Sequence, residues 1–286
     1  MEITAKVIQQ SRSALNGILI TTFELEYPRY IHAEFLTHRV FSRNAASSRA
    51  IPVSTMLKNI VDQDVGFSFW GKNQPGMQSK EELYGENYFN AKHIWEQSKQ
   101  AAIEYAKQLN DVGLHKQSAN RGLEPYSMIK VVMTATELEN WFELRAHEDA
   151  QPEIQELAIK MRDALKNTCP IELYQGEWHV PYVDRKETEE GIHYYSGDQK
   201  LSLEDAIKVS ASCCAQVSYR KNDTSLEKAQ MIYDKLINSR PMHASPIEHQ
   251  ATPAIEEWQT GVTHVDRWGN QWSGNFKNWI QYRQTL

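Results

Sequence analysis

The chain has 286 residues, of which 41% are hydrophobic and 24% charged, a composition typical of a globular protein. Its net charge of −6 at pH 7 argues against general affinity for nucleic acid. The sequence contains neither the run of roughly 20 apolar residues that a membrane helix needs nor the apolar core of a signal peptide. Its three cysteines are an odd number, which argues against a disulfide framework. We therefore expect a cytoplasmic protein without a membrane anchor.

The first third of the chain is predicted to form two strands, a short helix and an irregular stretch. Apolar and β-branched runs indicate strands at 2–9 and 17–27, and residues 30–37 favour a helix. Glycine and proline punctuate 53–84, which predicts an irregular conformation. We interpret 53–87 as an insertion or lid.

Helices dominate the middle of the chain. Residues 90–110 have helical periodicity, and Gly113 is expected to end that helix. Thr134 and Glu137 have capping-box spacing, which predicts a helix opening there and running through Arg145. The predicted buried stripe of the first helix consists of Ile94, Ser98, Ala101, Ala102, Tyr105 and Leu109.

The second half mixes helices with aromatic loops. Pro152 fits the first turn of a further helix, and residues 203–217 and 225–238 also favour helices. The aromatic stretch 178–195 is expected to be loop-like. We expect one domain over 1–286, with 250–286 as a C-terminal extension.

The most informative stretch is a basic loop at residues 38–49. It holds three arginines, three serines, a histidine and an asparagine. Guanidinium groups bind phosphate through paired hydrogen bonds, and serine hydroxyls add neutral donors. We interpret the loop as an anion pocket for a nucleotide phosphate. Taken alone, a solvated basic loop is the alternative.

Two further segments combine with this loop. One is L-R-x4-A-Q-x-E-I at 144–154, and the other is A-Q-V-S-Y at 215–219 followed by H-A-S-P-I-E-H at 243–249. Together with H-R-x2-S-x-N-x2-S-x-R at 38–49, they resemble the three signatures of the flavin-dependent thymidylate synthases. The resemblance covers about half of the chain.

The resemblance implies an α+β fold in which helices flank a central antiparallel or mixed sheet. In that family the segment that here spans 215–249 comes before the other two. The order in this chain therefore predicts a circularly permuted version of the fold, which is tolerated when the original termini lie close together at the surface. We expect 243–249 to lie beside the loop 38–49.

The resemblance also implies a substrate, a pyrimidine deoxynucleotide monophosphate with dUMP as the default. Arginines would hold its phosphate, while Arg145 would hydrogen-bond the pyrimidine and stabilise charge developing on the ring. A surface or structural ion pair is the alternative for each arginine. The expected substrate-binding residues are Ser47, Ser48, Arg49, Arg121, Arg145 and Glu34, of which Arg145 and Ser47 are assigned to catalysis.

The implied cofactor is FAD, with methylenetetrahydrofolate as carbon donor and NADPH as reductant. Members of the family are homotetramers with sites shared between subunits, so a homo-oligomer is implied. Ser245, Pro246 and Glu248 fit a helix N-cap with a capping box equally well. No metal-ligand spacing is visible. The expected FAD-binding residues are His38, Arg39, Val40, Asn140, Ser218, His243, Ser245 and Glu248.

The chain departs from the family pattern at several of these positions. The departures are Thr37 for the first arginine of R-H-R, Ala45 for a glutamate, Glu34 for a glutamine, and Thr134 and Thr136 for an asparagine and an arginine at FAD. Arg283 lies in a segment that distantly echoes Q-W-F-R-H-R and is a candidate replacement for the cation missing at Thr37. An aromatic helical cap is the favoured alternative for that segment.

The predicted activity is flavin-dependent C5 methylation of the nucleotide, from dUMP to dTMP. Two alternatives remain. One is a pyrimidine deoxynucleotide hydroxymethylase, in which water intercepts the alkylated intermediate, and the other is a non-catalytic nucleotide-binding scaffold. Cys213 and Cys214 are expected to be buried helix residues rather than nucleophiles.

Overall fold

The computed structural model describes residues 1–189, 191–218, 222–255 and 259–286. Its central strands are β1 Thr4–Ser13, β2 Leu19–Pro28, β3 Ser42–Ala45, β4 Met128–Ala135 and β5 Ile171–Leu173. They form a five-stranded sheet in the order β3-β4-β2-β1-β5, antiparallel except for the parallel pair β1 and β5. The expected α+β class with a mixed central sheet is confirmed.

Helices cover the sheet and its edges. The described helices are α1 His32–Leu36, α2 Val53–Gln63, α3 Gly85–Asp111, α4 Lys116–Ala119, α5 Glu139–Arg145, α6 Pro152–Lys166, α7 Leu203–Ala215 and α8 Leu226–Asn238. Among them, none has both the length and the apolar character needed to cross a membrane. The helices predicted at 30–37, at Pro152, at 203–217 and at 225–238 are confirmed.

The main core lies between the sheet and helices α5 and α6. Phe23, Leu25 and Tyr27 alternate along β2 and are fully buried, as the period of two in a strand requires. Trp141 of α5 and Leu157 of α6 belong to the same cluster. Because each such side chain stabilises the fold by about 1.5–3 kcal/mol when buried, this core holds α5, with Arg145 at its end, against the sheet.

The prediction of an irregular stretch from 53 to 84 was wrong for its first part. Val53, Met56 and Ile60 recur at helical spacing and are buried, and they form the inner face of α2. Asp64 adopts a left-handed conformation with φ of 43° and ends the helix. Glycines cluster only after this point, where the described structure up to Tyr84 is irregular apart from an isolated bridge.

The helix predicted at 90–110 is present as α3, but its inward face was predicted incorrectly. Ile94 and Tyr105, members of the predicted stripe, are 63% and 65% exposed. The buried face carries Lys99, Ile103 and Ala106 instead. The ammonium of Lys99 is held by two carboxylates at 2.5 and 2.6 Å, and this pairing allows a charged residue to turn inward.

The predicted capping box at Thr134 was also wrong. Thr134 lies inside β4, and α5 begins only at Glu139. Its hydroxyl bonds the Thr22 hydroxyl and the His249 ring across the sheet instead of capping a helix. The Thr134 hydroxyl therefore forms its hydrogen bonds with residues of other elements and does not cap α5.

The C-terminal third contains short antiparallel strands where a loop and a helical cap were predicted. The stretch 178–195 contains most of a hairpin, and the segment that includes Trp279 forms strands rather than a helix. Trp279 is buried in a cluster with Ile20 of β2. The strands of this region are β6 Asp184–Thr188, β7 Gly191–Ser196, β8 Gln199–Leu201, β9 Ala251–Pro253, β10 His264–Val265, β11 Gln271–Ser273, β12 Phe276–Lys277 and β13 Trp279–Gln281.

A fully buried chain of hydroxyls and imidazoles joins the C-terminal third to the central sheet. The Ser11 hydroxyl bonds Nδ1 of His179 at 2.9 Å, and Nε2 of His179 bonds the Thr22 hydroxyl at 2.9 Å. The Thr22 hydroxyl bonds that of Thr134 at 2.6 Å, which bonds Nδ1 of His249 at 2.8 Å. Burial lowers the pKa of both histidines to about 3, so both rings are neutral at pH 7.

These two histidines should make the protein acid-sensitive. In the unfolded chain they bind protons near pH 6.5, while in the folded chain they stay neutral until about pH 3. The free energy of unfolding should therefore fall as pH drops below 6.5, by about 1.4 kcal/mol per pH unit for each ring. Urea unfolding between pH 7 and 5 measures this slope.

The variant His249→Asn should reduce the slope, whereas His93→Asn, which removes an exposed histidine, should leave it nearly unchanged. Equal slopes in the wild type and His249→Asn would contradict the assignment.

Candidate functional site

Arg145, at the end of α5, is held in place by the start of the basic loop. Its Nε donates to Nε2 of His38 at 3.0 Å, and its Nη2 donates to the Thr37 hydroxyl at 3.2 Å. The His38 ring packs at right angles to Trp141 with centroids 4.8 Å apart, and it stacks on Phe41 at 5.6 Å. The guanidinium is therefore oriented by a ring that is itself fixed by packing.

The protonation of His38 follows from these contacts. Burial, together with the charges of Arg145 and Arg43, lowers the pKa of His38 to about 4. The ring is thus neutral at pH 7, with Nε2 as acceptor and the proton on Nδ1. Among the described residues, Nη1 of Arg145 meets no acceptor, so this guanidinium keeps a donor available for a ligand.

Arg145 lines a pocket of 680 Å³. The segment 69–80 covers one side of it, and the start of α6 forms another. Glu34 of α1 lines the pocket too, and its Oε2 is buried without a hydrogen-bond partner. The L-R-x4-A-Q motif and Glu34, identified separately in the sequence, therefore meet at one cavity.

The serines and arginines assigned to phosphate form a second group. Ser48 donates to the Glu124 carboxylate at 2.5 Å, and Arg121 donates to the same oxygen at 2.9 Å. Ser47 is half-buried, and Arg49 is exposed. The structure thus brings Ser48 and Arg121 together through Glu124, a residue that sequence reasoning missed although it lies three positions after Arg121, a spacing at which opposite charges meet on a helical turn.

The two groups lie at opposite ends of β3. Strand geometry gives about 3.3 Å per residue, so the four residues of β3 extend over roughly 13 Å. No hydrogen bond or ion pair between described residues connects Arg145 or Glu34 with Arg49 or Arg121. We refer to these two groups as partial sites.

The C-terminal motif reaches the loop, as the permuted order predicts. The Ser245 hydroxyl donates to Asn44 of β3 at 2.9 Å, and the Asn44 amide donates to the Cys214 carbonyl at 2.5 Å. Ser245 begins a 3₁₀ turn without capping it by its side chain, so the predicted N-cap was wrong. The ring of His243 is exposed, and the side chain of Ser218 and the whole of Tyr219 lie outside the described residues.

Arg283 does not replace the cation missing at Thr37. It forms an ion pair with Glu248, while Thr37 receives a hydrogen bond from Arg145. Lys277 donates its backbone N–H to the Thr136 hydroxyl at 2.9 Å. The C-terminal extension thus covers one of the two positions at which the flavin-dependent thymidylate synthases carry a residue that contacts FAD.

The adjacent cysteines of α7 are unsuited to nucleophilic chemistry. Cys213 and Cys214 are fully buried, as expected. Burial raises the pKa of the Cys213 thiol to about 12 and that of Cys214 well above its usual range. Since the thiolate is the reactive form, neither thiol is a nucleophile at neutral pH.

A family model described as "Thymidylate synthase complementing protein" matches residues 6–171. The chain belongs to this family. The match contains the loop 38–49, Arg121 and Arg145, but it ends before the motifs at 215–249. The circular permutation and the C-terminal members of the family site therefore stay predictions.

Two solved structures of a UMP/dUMP methylase, PolB from Streptomyces cacaoi, are similar to this family member. The one bound with 5-Br dUMP is 15% identical, with 57% of this chain and 90% of that chain covered and a TM-score of 0.45. The one bound with 5-Br UMP is 17% identical, with 57% and 88% covered and a TM-score of 0.47. A comparison with curated proteins gives no match.

Several side chains near His38 fit the flavin nucleotide that the family resemblance implies. A flavin nucleotide needs donors for its pyrophosphate and ring carbonyls. Arg39 and Asn140 are exposed, and their side chains have no partner among the described residues. Val40 and His243 are exposed as well, whereas Ser245 and Glu248 would have to exchange their present partners.

The link between Arg145 and His38 gives a direct prediction. Arg145→Ala removes a nearby positive charge, so the pKa of His38 should rise above about 4. It should stay below 6.5, because burial is the larger cause. NMR titration of the imidazole carbons measures this value. Arg39→Ala should change it little, and an unchanged pKa in Arg145→Ala would contradict the contact.

Proposed function

We propose that this chain is a flavin-dependent enzyme that alkylates C5 of a pyrimidine deoxynucleotide, with methylenetetrahydrofolate as carbon donor and NADPH as reductant. The observation that carries the proposal is the Arg145 guanidinium, oriented by neutral His38 at the wall of a 680 Å³ pocket, in a chain whose family is named for thymidylate synthesis. The default reaction is dUMP to dTMP.

Arg145 would act on the base. The form of the pyrimidine whose C5 attacks the carbon donor has enolate-like character, with negative charge on a carbonyl oxygen, and a fixed guanidinium donor would stabilise that form. Because His38 and Thr37 already hold Nε and Nη2, little reorganisation is needed when substrate binds. Arg145 therefore acts as an electrostatic catalyst rather than as an acid or a base.

Ser47, Ser48, Arg49 and Arg121 would bind the 5′-phosphate, with Ser47 also positioned to donate to the reacting nucleotide. At present Glu124 accepts hydrogen bonds from Ser48 and Arg121. A phosphate would compete with this carboxylate for the same donors. Exposed Arg49 needs no such exchange, so it should make the largest contribution to phosphate affinity.

The flavin would lie near His38, Arg39, Val40 and Asn140, with Ser218, His243, Ser245 and Glu248 contributing from the C-terminal motifs. When bound, a reduced flavin supplies the hydride that completes methyl formation. The chain's own residues would hold the cofactor and exclude water from the pocket. We treat 53–87 as the lid, since residues 69–80 within it already line the pocket.

The separation of the two partial sites along β3 supports a site shared between copies. We propose that Arg49 and Arg121 of one chain face Arg145 and Glu34 of a second chain in a homotetramer. A closed interface of this kind repeats the same contact by symmetry. In such a pair there are two sites. Each chain supplies Arg49 and Arg121 to one of them and Arg145 and Glu34 to the other.

Removal of the Arg49 charge should weaken pyrimidine nucleotide binding. Arg49→Ala should cost about 1.5–3 kcal/mol, or roughly 10- to 100-fold in affinity, as for loss of a charge-assisted hydrogen bond. Arg49→Lys should recover only part, because an ammonium lacks the two-point fork. Calorimetric titration measures the affinity, and Arg162→Ala on the outer side of α6 is the control. Unchanged affinity in Arg49→Ala would remove this residue from the site.

The reaction itself is tested by product mass. The protein incubated with FAD, NADPH, methylenetetrahydrofolate and a pyrimidine deoxynucleotide monophosphate should yield a nucleotide heavier by one CH2. A gain of CH2O would indicate a hydroxymethylase. FAD titration should show saturable quenching in the micromolar range, since the family residues lost at Thr134 and Thr136 weaken retention. No saturable FAD binding and no mass change, with folded protein, would favour the scaffold.

A further inference from the structure

Glu34 is a carboxylate without a partner at the wall of the Arg145 pocket. It lies in α1, three residues before Thr37, whose hydroxyl donates to the Glu34 carbonyl at 2.6 Å and accepts from Arg145 at 3.2 Å. The Glu34 backbone is thus linked to the guanidinium through Thr37, and both side chains line the same pocket. No described donor reaches either oxygen of the half-buried carboxylate, and Oε2 is enclosed. An enclosed carboxylate oxygen without a donor is costly unless a ligand supplies one.

The charge of the pocket favours the base of a nucleotide over its phosphate. Its charged lining consists of three carboxylates, on Glu34, Glu148 and Asp149, and two cations, on Lys80 and Arg145. A dianionic phosphate is disfavoured where carboxylates outnumber cations. The neutral end of the nucleotide therefore suits this pocket, with Phe69 as an apolar wall for a flat ring.

The Arg145 guanidinium and the Glu34 carboxylate form different hydrogen bonds with a pyrimidine. A guanidinium only donates hydrogen bonds, and an ionised carboxylate only accepts them. Cytosine carries the amino donor N4–H2 next to the acceptors N3 and O2. Uracil carries a carbonyl acceptor at C4, and its one ring donor, N3–H, lies between two carbonyl oxygens that a carboxylate would repel.

We propose that this site selects a cytosine deoxynucleotide over a uracil deoxynucleotide, with Glu34 accepting from the exocyclic amino group and Arg145 donating to the O2 and N3 edge. The inference rests on the proposed function and replaces its default substrate, dUMP, by a cytosine deoxynucleotide. Glu34 is then a specificity-determining residue. The glutamine that the flavin-dependent thymidylate synthases carry at this position accepts and donates, so it does not discriminate in this way.

The test compares dCMP with dUMP by calorimetric titration of the full-length protein, with FAD present throughout. The wild type should bind dCMP about tenfold or more tightly than dUMP, as one charge-assisted hydrogen bond predicts. Glu34→Gln should bring the two affinities to within about threefold of each other, because an amide serves both bases. The matched control is Glu148→Gln, which removes the same charge from the same pocket and should leave the ratio unchanged.

Equal affinities in the wild type, or tighter binding of dUMP, would overturn the inference while the proposed function stands. Equal shifts in Glu34→Gln and Glu148→Gln would also overturn it, since net charge rather than a specific contact would then set the preference. If folded wild-type protein binds neither nucleotide, the proposed function fails together with the inference. Circular dichroism of each variant establishes that it is folded.

Discussion

The buried chain from Ser11 through His179, Thr22 and Thr134 to His249 is the interaction on which the rest of the structure depends. Each hydroxyl has one hydrogen to donate, and each neutral ring has one N–H. The two hydrogen bonds of His179 therefore run in the same direction, whereas each threonine hydroxyl can accept from two neighbours. Nε2 of His249 is without a partner among the described residues. Protonation of either ring would place a charge in the interior, so these hydrogen bonds join β1, β2 and β4 to the C-terminal third most strongly while both histidines are neutral.

The hydrogen bond between His249 and Thr134 positions the residues beside the candidate site. With His249 held against β4, Ser245 lies next to β3, where its hydroxyl donates to Asn44. The extension that follows returns to Glu248 through Arg283 and to Thr136 through Lys277. A position at which the flavin-dependent thymidylate synthases present an arginine to FAD is here occupied by contacts within the chain. Arg39 and Asn140 are exposed.

The sequence was most informative where patterns are local. The helix ending at Arg145 and the helix starting at Pro152 were predicted, because spacing and turn chemistry determine them over a few residues. The basic segment 38–49 was predicted to be a loop, but residues 42–45 form β3, which pairs with β4 from a distant part of the chain. The inward face of α3 was not predicted, because Lys99 is paired there by Asp64 from the end of α2 as well as by Glu96 of its own helix, and the contact with Asp64 is not local in the sequence. Thr134 was misread for the same reason, since its partners lie 112 and 115 residues away in the chain.

The members of the substrate site stay predictions, and the structure adds how these residues are arranged. Ser48 and Arg121 meet through Glu124, and Glu34 shares a pocket with Arg145. Their division into two groups depends on the length and direction of β3, and a list of motif residues does not contain that information. The ion pair of Arg283 with Glu248 was not predicted, because the two residues are 35 positions apart in the chain.

We propose that the partial site around Arg145 of one chain and the partial site around Arg49 of a second chain together bind one nucleotide. The most direct test is to co-express Arg49→Ala and Arg145→Ala under different tags, purify the mixed assembly, and count nucleotide sites of wild-type affinity. With random pairing, half of the pairs are mixed and one of their two sites keeps both arginines, so about a quarter of the sites should recover in the unselected population and a larger share in the assembly purified through both tags. Each variant alone should show none. No recovery in an assembly that contains both chains would contradict the account.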